Sequence, residues 1–199
     1  MAADLEELLV KDAAGWRAWL EAYHADSPGV WLVLHKKGGA VTELDYEAAV
    51  QESLCFGWID GQARRRDEGS FFQRMTRRGP RSVWSVRNVD RIGRLAAAGR
   101  MAPAGTAAVD AAKADGRWEA AYAGPATAVV PADLAAAIAA EPRAREMFEV
   151  LTSVNRFALI YRTNGVKQAS TREKKIAGFV AMLARYETPF PQTRRPPSP

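Results

Sequence analysis

The sequence predicts an α+β fold: a small antiparallel sheet with covering helices, followed by an Ala-rich helical C-terminal half. Three observations carry that expectation. Strand-like apolar runs and a turn of hairpin length lie before residue 80, alanine dominates 96–140, and an amphipathic helical pattern closes near Leu183. At 199 residues, 48% hydrophobic and 26% charged, the chain is long enough to bury a core of ordinary globular kind. By texture it divides into an α+β unit over 1–100, a helical unit over 101–187 packed on it, and a disordered Pro-rich tail over 188–199.

Residues 1–25 read as helical, with Asp12 as a cap and Trp16, Trp19, Leu20 and Tyr23 on one apolar stripe. Ser27-Pro28-Gly29 breaks that helix, and Val30 to Leu34 is a buried strand running into the turn Lys37-Gly38-Gly39. Asp45 is placed to cap a helix from Tyr46 to about Phe56, with Gly57 at its end. An extended segment from Trp58 and a second arm from Ser70 to Arg78 flank the turn Asp67-Glu68-Gly69, giving three strands in all. Asn88 caps the next helix, Pro103 opens another, and Pro131 and Pro142 open two more. Ser170-x-x-Glu173 has the form of a capping box before Ile176, Phe179, Val180 and Leu183.

Composition excludes several classes of function. One cysteine allows no internal disulfide, and two histidines make no zinc site, so neither a metal nor a cofactor is expected. The start MAADLEELLVKD lacks the basic and apolar regions of a signal peptide, and no window reaches the roughly 20 apolar residues of a membrane span. The expectation is therefore a cytoplasmic protein. A pI of 9.6 favours anionic partners. The charge is local: residues 55–94 hold ten arginines and four acids, a balance of +6 against +5 for the whole chain.

Within that stretch, Asp60 ends a strand beside the arginine run. It suits a general base or a ligand-orienting carboxylate, and equally an Asx-turn or an ion pair with Arg64 or Arg66. Trp58 can stack on a planar or cationic group or fill the core. Arg64, Arg66, Arg74 and Arg78 fall on adjacent hairpin arms, where guanidinium forks match carboxylate or phosphate. Phe71, Phe72 and Trp84 interleave with them as on single-stranded nucleic-acid platforms, yet no nucleic-acid-binding signature is present. Ser82, Ser85 and Asn88 surround Trp84 without a nucleophile elbow, and Cys55 sits in an apolar context as a small buried hydrophobe.

The motifs Gly29-Val30-Trp31-Leu32, CFGWIDG at 55–61, PRSVWS at 80–85 and GRMAPAG at 99–105 resemble those of the YdeI/OmpD-associated, or bacteriocin-protection, family. Asn155-Arg156, Thr171-Arg172 and the helix from Lys175 to Leu183 continue the resemblance. The chain departs from the family pattern at Arg77 and Gly79, and in the stretch Val166 to Arg172. What the resemblance implies is a role in bacterial stress tolerance, including resistance to bacteriocins and cationic antimicrobial peptides. It implies no reaction. The expected function is thus a non-enzymatic stress-associated protein binding a small polar or anionic ligand or a protein partner. Its expected ligand residues are Trp58, Asp60, Arg64, Arg66, Arg78, Ser82 and Trp84. Two alternatives stay open: an enzyme acting on a small anionic or amide-bearing metabolite with Asp60 as general base, and a nucleic-acid binder using the Arg-rich hairpin.

Overall fold

The structure, a computed structural model, describes residues 5–197. The chain divides into two compact units between Ala121 and Tyr122. The first unit holds β1 (Glu6–Leu8), α1 (Ala13–Tyr23), β2 (Val30–His35), α2 (Tyr46–Cys55), β3 (Trp58–Arg65), β4 (Ser70–Arg77), α3 (Val86–Ala97) and α4 (Pro103–Ala114). The second holds α5 (Ala132–Ala139), α6 (Pro142–Glu149), α7 (Ser153–Asn164) and α8 (Ala169–Ala184). This is the α+β class expected.

The sheet has four strands in the order β1-β2-β4-β3. It is mixed rather than antiparallel, because β1 runs parallel to β2, with Glu6 opposite Val30 and Leu8 opposite Leu32. The added strand lies where the sequence reads as helix. Glu6-Glu7-Leu8 has no strand pattern of its own; the edge of β2 recruits it, and α1 supplies the crossover that a parallel pair requires. The other two pairings are antiparallel, and β3 is irregular between Asp60 and Ala63. Alternation then sorts the strands. Val30, Leu32, Leu34, Trp58 and Met75 turn to the core and are fully buried, while Trp31, Arg64, Phe72 and Arg74 share the opposite face.

Caps and close approaches place the helices. Asp12 accepts from the Gly15 amide at 2.9 Å and Asp45 from the Ala48 amide at 2.7 Å, so α1 and α2 start where their caps dictate. Trp16, fully buried on α1, donates its indole N–H to the Ala49 carbonyl at 3.1 Å and to Ser53 Oγ at 3.2 Å, tying α1 to α2. Gly57 turns the chain from α2 into β3 at φ +71°, a left-handed conformation that suits glycine. At Gly105 a Cβ would stand 2.1 Å from the Cys55 carbonyl oxygen, so glycine is what lets α4 lie on the end of α2. Ser85, not Asn88, caps α3: Ser85 Oγ accepts from the Asn88 amide at 3.2 Å.

In the second unit the helices bury Leu134, Ile138, Met147, Leu159, Ile176 and Leu183 together. The expected capping box at Ser170 does not form. α8 already begins at Ala169, with Gln168 at the cap position and no side-chain cap bond, so Ser170 lies inside the first turn. Buried Asn155 donates to the Phe190 carbonyl at 3.0 Å and to Gln192 Oε1 at 2.8 Å, and accepts from the Phe190 amide at 2.8 Å. These bonds fall in the segment expected to be a disordered tail over 188–199, of which residues 198–199 lie outside the described residues. Among the described residues no helix is long and apolar enough to cross a membrane.

Candidate functional site

The residues singled out from the sequence fall into three groups. Trp58 fills the core. It stands edge-on to Trp16 and Trp19, with centroids 6.1 and 5.6 Å away, and donates its Nε1–H to the His24 carbonyl at 3.2 Å. Asp60, half-exposed two residues on, pairs with neither Arg64 nor Arg66: its Oδ2 accepts from the Tyr46 hydroxyl at 2.7 Å. Burial, then that bond, raises the Tyr46 pKa well above its ordinary value, so the phenol stays protonated and donating at neutral pH.

The hairpin arginines form the second group. Arg64 donates to Glu7 at 2.5 Å while its guanidinium lies between the Trp31 and Phe72 rings, 4.4 and 4.5 Å from their centroids. Arg65 pairs with Glu68, and Arg66 with Asp67 at 2.7 Å and with Ser70 Oγ at 3.0 Å. Each of the three already has a carboxylate: Arg65 and Arg66 find theirs in the hairpin turn, and Arg64 finds its own on β1. Arg74 is on the face of Arg64, with its stem across Gly61.

Arg78, Ser82 and Trp84 form the third group, in the loop after β4. The Arg78 guanidinium sits 3.6 Å above the Trp84 ring and donates to the Val83 carbonyl at 3.1 Å. Ser82 Oγ accepts from the Gly79 amide at 2.9 Å, closing the turn, and its carbonyl accepts from Arg117 at 3.0 Å. Trp84 is 1% exposed and edge-on to Trp118 at 5.0 Å. Arg78 and Trp84 meet, with Ser82 in the turn between them along the chain, whereas Trp58 is directed to α1 and Asp60 to α2.

A buried ion pair joins α2 and α3 that the sequence did not single out. Arg91, 4% exposed, donates to Glu47 from Nε at 2.8 Å and again from Nη2, and to Asn88 Oδ1 at 2.7 Å. Arg87 reaches the same carboxylate at 3.1 Å. The Arg91 hydrogen bond leads the causes that hold the Glu47 carboxyl down to about 2, against the opposing cost of burial. A signal for this was present: Arg91 falls at helical spacing with Asn88 and Leu95, on the side of α3 that is buried.

Cys55 is fully buried, and desolvation followed by the charge of Glu52 pushes its thiol pKa up, with Arg100 and Arg17 offsetting part of this. A folded protein is therefore expected to leave Cys55 unmodified by maleimide, and to take up one equivalent only once unfolded. Rapid labelling of the native protein would show the thiol to be open.

A groove in the second unit, about 760 Å³ in volume, runs between α5 and α8. Ala137 of α5 faces Ala169, Ile176, Ala177, Val180, Ala181 and Ala184 of α8, a stripe at helical spacing along the whole of α8. That length is about 24 Å at 1.5 Å per residue. Glu141 and Glu173 stand at its rim, as does Asp133, which accepts from Arg172 at 2.5 and 2.9 Å. The lining thus carries three acids against one base.

Residues 8–108, just over half of the chain, match the family model described as a domain of unknown function, DUF8412. The chain belongs to that family. The DUF8412 match contains the FGWIDG and PRSVWS motifs and ends within α4. Residues 127–186 match a second family model, described as Bacteriocin-protection, YdeI or OmpD-Associated, which bears out the resemblance over α5 to α8. Searches of curated proteins and of solved structures returned no significant match.

Proposed function

We propose that the protein is a non-enzymatic, cytoplasmic binding protein of bacterial stress resistance, and that its binding surface is the groove between α5 and α8. The observation carrying this is the groove itself: a long apolar channel with an acidic rim, lying wholly inside the residues similar to the bacteriocin-protection family. Alanines at Ala137, Ala177 and Ala181 leave room for another backbone to come close, which is the geometry of helix-in-groove recognition. Excess carboxylate at the rim favours a partner whose apolar face is flanked by lysine or arginine. A cationic amphipathic helix has that pattern, and so do many peptides against which such protection acts.

The other readings have less support. Arg64, Arg65 and Arg66 are each engaged by a carboxylate, which weakens the hairpin as a phosphate or nucleic-acid surface. Asp60 as a general base has Tyr46 for its partner and no second acid–base group placed with it among the contacts described.

The test is titration of a labelled amphipathic helix with lysine flanks against wild type and Ala181→Trp, which fills the groove from an exposed position. The variant is expected to bind about tenfold more weakly, and an acidic-flanked version of the peptide to bind neither protein. Equal affinity of wild type and variant would remove the groove from the proposal.

A further inference from the structure

We infer that the first unit has a separate site for a small organic cation of the quaternary ammonium class, built from Trp19, Tyr23, Glu6 and Asp26. These residues, with Leu8 and Pro28, line a concavity of about 620 Å³ between β1, the end of α1 and the loop leading to β2. The volume is within the range of small-ligand sites.

The walls suit a soft cation. Trp19 and Tyr23 meet at 5.4 Å with their planes tilted by 42°, a partly opened pair of ring faces. Trp19 is held from behind, stacked on buried Trp16 at 5.2 Å and edge-on to buried Trp58 at 5.6 Å. Its ring is therefore pre-oriented, while Tyr23 is 53% exposed and open to a ligand. The strand alternation of β1 sends Glu7 to Arg64 on one face of the sheet and leaves Glu6 and Leu8 on the face of Trp19. Neither the Glu6 nor the Asp26 side chain makes an ion pair or hydrogen bond among the described residues, on a chain whose net charge is +5. The nearby Arg77 guanidinium donates to the Ala25 carbonyl at 2.8 Å.

Ring faces attract a weakly hydrated cation through their quadrupole, and they offer nothing to a metal ion that needs oxygen ligands. The rings favour an alkylated ammonium, and among the described residues no group of three or more His, Cys, Asp or Glu side chains is placed to hold a metal ion. The same head group occurs on free metabolites and on methylated lysine side chains, and the two sources are separable by probe.

Calorimetry and indole N–H shifts would be followed with tetramethylammonium, with choline and with a trimethyl-lysine peptide. The neutral isostere 3,3-dimethylbutanol and sodium chloride would serve as controls. Choline and tetramethylammonium are expected to bind in the millimolar range or tighter, and the neutral alcohol about tenfold more weakly. Tyr23→Leu and Asp26→Asn, both at exposed positions, are each expected to weaken choline binding roughly fivefold. Tighter binding of the peptide than of choline would assign the site to methylated lysine, and the reverse to a free metabolite. The inference is overturned if neither ammonium probe binds, if the neutral alcohol binds as well as choline, or if the two variants bind as wild type.

Discussion

Trp58→Ala is expected to destabilise the protein by about 4 kcal/mol, as a fall in the urea midpoint with little change in slope. The ring is fully buried, edge-on against the stacked Trp16 and Trp19, and no collapse of neighbouring strands can refill a volume of that size. The change also leaves the His24 carbonyl without its indole donor. Trp58→Phe separates the two effects, keeping most of the packing and losing only the N–H, and should cost much less. A midpoint close to wild type for Trp58→Ala would mean that this tryptophan is not a core residue, and would restore it as a candidate for ligand contact.

Glu47→Ala should cost about 3 kcal/mol, because it strips Arg91 of its paired carboxylate and leaves a buried guanidinium hydrogen-bonded to Asn88. The Glu47 side chain is 38% exposed, which places the expected cost at the lower end of the range for a broken buried pair. The pair also makes a prediction for acid. Glu47 is held down to about 2 from an ordinary 4.5, so its contribution is complete above 4.5 and is lost as the pH falls through 2. Wild type is expected to lose stability over that window, and Glu47→Gln to show a flatter profile there. Parallel profiles would mean that the pair does not couple to folding. Replacing both partners with apolar residues of matching volume is the informative double change, since it removes the orphaned charge together with the pair.

Much of the fold was legible because capping and turn chemistry are local. Asp12, Asp45 and Gly57 act where their residue types say they should, and the hairpin about Asp67-Glu68-Gly69 closes as its spacing predicts. β1 was not legible, since Glu6-Glu7-Leu8 becomes a strand only through β2, more than twenty residues away along the chain. Ser170 misled for a related reason: a capping box is one way to start a helix, and α8 starts earlier on packing alone. At the candidate site the sequence located Asp60 in a strand but not its partner, because Tyr46 reaches it across the turn at Gly57. The groove of the second unit was hidden by alanine. Ala177 and Ala181 look the same whether chosen for helix propensity or for room, and only the facing Ala137 distinguishes the two.

The aromatic clustering of the first unit has a spectroscopic consequence. All six tryptophans, Trp16, Trp19, Trp31, Trp58, Trp84 and Trp118, precede Tyr122, and the second unit has none. Intrinsic fluorescence excited at the indole band therefore follows the first unit alone, while far-ultraviolet circular dichroism is weighted by the helices of both. Overlaying the two melting curves of the unlabelled wild-type chain measures how far the units unfold as one. Peptide binding in the groove should shift the dichroism curve more than the emission curve, and choline the reverse.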